Sequence, residues 1–92
     1  MNTDPGFAEF EAEARALGYP EVLARDWAPG QVQELHSHPF DARALVVAGE
    51  MWLTVDDVTR HLGPGGRFEL PKGKLHAERY GDAGATYWVA RR

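Results

Sequence analysis

The sequence predicts an all-β sandwich or barrel that carries one short N-terminal helix. Three observations carry this expectation. Glycine and proline recur at short intervals beyond Tyr19, from Pro20 through Pro29-Gly30, Pro39, Gly49, Gly63 to Gly66, Pro71, Gly73, Gly81 and Gly84. The runs between them are short and of β type, at 22–27, 31–38, 43–48, 51–55, 58–62, 67–70, 75–80 and 85–90. Many short strands separated by turn signals form the pattern of a sandwich or closed barrel. Helical periodicity, by contrast, is confined to one stretch near the N-terminus.

That stretch is residues 4–17. Asp4 suits the cap, Pro5 the first helical position, and Gly18 the stop. Phe7, Phe10, Ala14 and Leu17 fall at steps of three and four and make one apolar stripe. Glu9, Glu11 and Glu13 occupy the other faces and are expected to be solvated. Among the strands that follow, Asp56-Asp57 separates the runs 51–55 and 58–62 as a two-residue hairpin turn. The organisation expected is a helical extension over 1–21 followed by one barrel domain over 22–92.

Composition narrows the function. A chain of 92 residues holds one small core, which is marginal alone and leans on a disulfide, a metal or a partner subunit. Cysteine is absent, so disulfides, iron–sulfur clusters and thiol nucleophiles are excluded. Metal binding and oligomerisation remain, and a homodimer is expected. Ten Lys and Arg stand against 14 Asp and Glu, with no basic cluster, which argues against nucleic acid as a partner. No apolar run is long enough to span a membrane, and the first residues do not form a secretory signal. A cytoplasmic protein is the expectation.

The chemistry gathers at histidine. His36 and His38 lie two apart on a β-type run, so strand alternation turns both rings to one face. Two imidazoles at that spacing suit a shared metal ion, and equally a pair of ordinary hydrogen-bonded histidines. His76 lies on a distant β-type segment that a closed sheet can bring alongside. Glu34 precedes His36 by two and Glu78 follows His76 by two, so regular alternation puts each on a histidine face. Each is read as an outer-shell acceptor, a general base, or a solvated residue at the barrel mouth. Tyr80 continues the face of Glu78. Phe40 follows His38-Pro39 near the expected entrance and is a candidate ligand contact. Trp52, Phe68, Tyr87 and Trp88 are expected in the core or at a dimer contact. Asp41 and Arg43 are read as a pair, either a surface or interface salt bridge or substrate clamps, and His61 as a non-ligand.

The frame around these histidines resembles the cupin family. Gly30, His36, His38 and Gly49 follow the spacing of its first motif, and Gly65, Pro71, Gly73 and His76 that of its second. Positive φ is expected at Gly49, Gly65 and Gly73. The resemblance covers roughly residues 22–90 and implies a jelly-roll barrel with a divalent metal held by His36, His38 and His76. The family's first-motif glutamate does not carry over: Ala42 stands there. Its second-motif asparagine is also replaced, by Tyr80.

Imidazole-rich coordination suits Zn, Fe, Ni, Mn or Cu, and a three-ligand site keeps a position open for water or substrate. The resemblance thus implies a metal-dependent enzyme of dioxygenase, isomerase or lyase type acting on a small polar molecule. The alternatives are a non-enzymatic module that binds or senses a small molecule, and a domain whose metal is only structural.

Overall fold

Residues 6–92 are described by a computed structural model. One helix, α1 (Phe7–Ala16), precedes six strands: β1 (Glu21–Trp27), β2 (Val32–His36), β3 (Ala42–Val55), β4 (Val58–Leu62), β5 (Arg67–Leu70) and β6 (His76–Arg91). Every pairing is antiparallel. β3 and β6 run alongside each other over most of their length. β1 and β2 share the other edge of β6, while β4 and β5 share the other edge of β3. The result is two four-stranded halves, β1-β6-β3-β5 and β2-β6-β3-β4, continuous through the two long strands.

Eight β-type runs therefore become six strands. The runs 43–48 and 51–55 merge into β3, and 75–80 and 85–90 merge into β6. Gly49 and Gly84, at φ 71° and 72°, bend these strands without ending them. Register shifts between Val46 and Ala48 and between Gly49 and Met51 mark the bend as a bulge. The backbones approach so closely here that a Cβ on Gly49 would lie 2.1 Å from the Gly84 carbonyl oxygen. Bending both strands at one level turns the two halves to face each other. Between them lies the main core, centred on Val46, Met51, Leu53, Phe68 and Tyr80.

The turn residues behave as their chemistry requires. Asp56 and Asp57 take φ 51° and 64°, the two positive values of a type I′ hairpin. Gly49, Gly65 and Gly73 all have positive φ, at 71°, 90° and 77°.

Asp4 and Pro5 lie outside the described residues, and the described helix begins at Phe7 after Gly6. At its other end Gly18 and Tyr19 donate backbone hydrogen bonds to Arg15 and Ala14, a Schellman closure. The chain turns there, so Leu17 leaves the apolar stripe and is 48% exposed. Phe10 and Ala14 pack with Tyr19, Leu45 and Ala90 in a second cluster outside the barrel. Glu13 is not simply solvated: it pairs with Arg43 at 2.9 Å and with Arg67 at 3.5 Å, clipping the helix to the sheet. No described helix is long and apolar enough to cross a membrane.

Candidate functional site

β2 and β6 supply the site. His36 pairs directly with His76 across the ladder. Between Gln33 and His36 the register slips by one residue, so β2 carries a bulge. Beyond its end, the His38 carbonyl accepts the backbone N–H of Gly73 at 2.9 Å, and the Asp41 carboxylate accepts that of Lys72 at 2.8 Å. The turn between β5 and β6 is thereby fastened to the segment bearing His38.

The three rings converge. Their centroids lie 4.8 Å (His36 to His38), 4.3 Å (His36 to His76) and 5.1 Å (His38 to His76) apart. One nitrogen from each lies within 4.8 Å of the others. Backbone carbonyls set the tautomers: His36 Nδ1 donates to Glu34 O at 2.5 Å, and His76 Nδ1 to Lys74 O at 3.0 Å. Each ring then has Nε2 left as a lone-pair donor. His76 Nε2 is buried with no hydrogen-bond partner. A buried nitrogen without a partner is costly unless something else satisfies it. Burial, followed by the neighbouring His36, His76, Arg91 and Arg25, lowers the pKa of His38 below 6.5. The shift favours the neutral imidazole that metal ligation demands. The donor set fits one divalent ion.

The histidines sit in a cavity of about 550 Å³. Glu78 lines it and is buried; burial raises its carboxyl pKa above the ordinary 4.5, against the opposing pull of His76. Phe40 also lines it, stacked on His38 at 4.9 Å. The Ala42 methyl forms part of the wall.

Two candidates lie elsewhere. The bulge in β2 breaks the alternation, so Gln31 and Gln33 reach the cavity while Glu34 falls in a groove on the opposite face. Glu34 contributes its carbonyl to His36, not its carboxylate. Tyr80 does share the inward face of Glu78, but it is core, stacked on Trp27 at 4.8 Å.

Asp41 and Arg43 do not pair with each other. Arg43 holds Glu13 and Glu69, each at 2.9 Å, and Asp41 meets Arg92. His61 stands apart, 2.7 Å from Glu50 and stacked on Trp52, which lies on the outer face. Trp88 packs against the helix, with Phe7 edge-on at 5.4 Å. Phe68 and Tyr87 belong to the core and also line the cavity.

Sequence reasoning missed Arg25 and Arg91, which line the cavity, as does Trp27. A signal existed. Leu23, Arg25 and Trp27, and likewise Tyr87, Val89 and Arg91, alternate on β1 and β6, so each arginine interrupts an inward apolar register.

The cupin domain family model matches residues 25–89, and the chain belongs to that family. No curated protein sequence matches it. Solved structures share the fold. A Rhizobium leguminosarum protein described as of unknown function is 22% identical, with 99% of this chain and 96% of that one covered and a TM-score of 0.74. The polyketide cyclase RemF from Streptomyces resistomycificus is 24% identical at a TM-score of 0.65, with 76% of this chain and 52% of that one covered. Oxalate decarboxylase from Bacillus subtilis, described with Mn(II) centres, is 24% identical at a TM-score of 0.68, with 76% of this chain covered. This chain spans about half of the cyclase and 20% of the decarboxylase.

Proposed function

We propose that this cupin holds one divalent transition metal through His36, His38 and His76 and acts as a metal-dependent enzyme on a small molecule in the adjoining cavity. The observation that carries the reading is the buried, unpartnered His76 Nε2 beside two further imidazole donors. Three neutral ligands leave coordination positions free. A bound metal would supply Lewis-acid polarisation of a ligand oxygen.

The remaining work falls to the chain's own residues. Phe40 covers one face of the His38 ring, and Phe68, Leu70 and Val89 give the cavity an apolar side. Glu78 is the proton-holding group. Its raised pKa keeps the proton on its carboxyl to higher pH than in water, within reach of the cavity.

The test is a screen of small polar molecules against the protein loaded with the metal it retains, with and without oxygen. Turnover that falls in Glu78→Gln, while metal content holds, supports the enzyme reading. Saturable binding with no turnover would replace it with a binding or sensing module.

A further inference from the structure

We propose that Arg25 and Arg91 form a carboxylate-binding subsite beside the histidine cluster, so that the ligand is a small carboxylate with an apolar body. The proposal rests on the reading of this cavity as the ligand site, and it names the ligand's class.

The two guanidinium groups come from β1 and β6 and line the same cavity as the histidines. Each is laid against an aromatic ring. Arg25 lies 4.9 Å from the Trp27 ring centre, and Arg91 lies 4.8 Å from that of Phe40. Such stacking holds the planar fork in place before a ligand arrives.

Charge balance then asks for an anion. Among the described residues Arg25 has no acidic partner within ion-pair distance. Arg91 pairs with Glu21, an exposed residue, yet its Nε is buried and bonds to nothing. Glu78 is the one carboxylate among the described cavity-lining residues. Arg91 leans on an acid outside the cavity lining and Arg25 on none, so two guanidinium groups face a cleft lined by a single carboxylate. A ligand anion balances them, and the guanidinium fork matches a carboxylate through paired hydrogen bonds. Phe68, Leu70 and Val89 form an apolar part of the wall and would receive an apolar body. An apolar wall disfavours a strongly hydrated phosphate, so carboxylate is the class chosen.

The experiment titrates benzoate, its neutral counterpart benzamide, and inorganic phosphate into the full chain by calorimetry. It uses both metal-loaded and chelator-stripped protein. Benzoate is expected to bind about tenfold or more tighter than benzamide in both forms. Arg25→Gln and Arg91→Gln should each remove most of that preference, and Arg60→Gln, which does not line the cavity, should leave it intact. Arg25 is exposed, so its variant keeps the test valid if Arg91→Gln fails to fold.

Equal binding of benzoate and benzamide would overturn the proposal, as would tighter binding of phosphate. So would benzoate binding that vanishes on stripping and ignores both arginine variants, because the carboxylate would then sit on the metal. A protein that takes up no metal yet shows the arginine-dependent preference keeps this subsite and loses the metal reading. A protein that takes up metal without that preference loses the subsite alone.

Discussion

Ala42 is where the chain departs from the four-ligand pattern that its resemblance to cupins implies, and its methyl faces the cavity. Ala42→Glu therefore places a carboxylate on the wall. It should tighten metal binding about tenfold or more by adding an anionic ligand to three neutral ones. Competition with a chromophoric chelator measures this; unchanged affinity would mean that position 42 does not reach the ion. The histidines and Glu78 were legible because spacing and alternation are local properties of a sequence. Glu34 was misplaced because the bulge between Gln33 and His36 is fixed by pairing with β6, which no local pattern reports. Arg25 and Arg91 escaped notice for the same kind of reason, since 65 intervening residues fold back to bring β1 beside the end of β6.

Among the elements, the long strands β3 and β6 depend on one crossing. At Gly49 an added Cβ meets the backbone of Gly84 and Ala85, and φ is positive as well, so neither neighbour can yield cheaply. Gly49→Ala should cost about 2–4 kcal/mol of stability in urea denaturation. A cost below about 0.5 kcal/mol would show that the bend tolerates a side chain. Glycine here explains why strand content was legible and strand number was not: the residue that signals a turn also serves as a bend inside a strand. The helix depends on Glu13. The hydrogen bond from Arg43 lowers its pKa below 4.5, against a smaller opposing effect of burial and with further help from the charge of Arg67. A carboxyl whose folded pKa is depressed stabilises the fold above its unfolded pKa, and that contribution is lost as pH falls through the folded value. Helix docking should weaken as pH falls below about 4.5, reported by fluorescence of Trp88 beneath Phe7 and Phe10. Glu13→Gln should flatten that part of the profile, more so at low salt; an unchanged profile would remove the clip from the account.

For the whole molecule, the small core still leaves large apolar side chains outside. Val32, Leu35, Val58 and Leu75 are 57%, 66%, 62% and 55% exposed. We propose a homodimer on this ground. Light scattering at micromolar concentration should give twice the 10.2 kDa chain mass, and the monomer mass would count against it. The barrel as a class was legible because turn residues recur along the chain. The metal centre is a property of the whole fold, since His36 and His38 flank the end of β2 while His76 opens β6. Its most direct test is metal content per chain after loading from a panel of first-row divalent ions, in the wild type and in single His36→Ala, His38→Ala, His76→Ala and His61→Ala proteins. The account predicts about one ion per chain in the wild type and in His61→Ala, and loss of most of it in each of the other three. It is contradicted if the wild type takes up no metal at neutral pH, or if His61→Ala loses metal while His76→Ala keeps it.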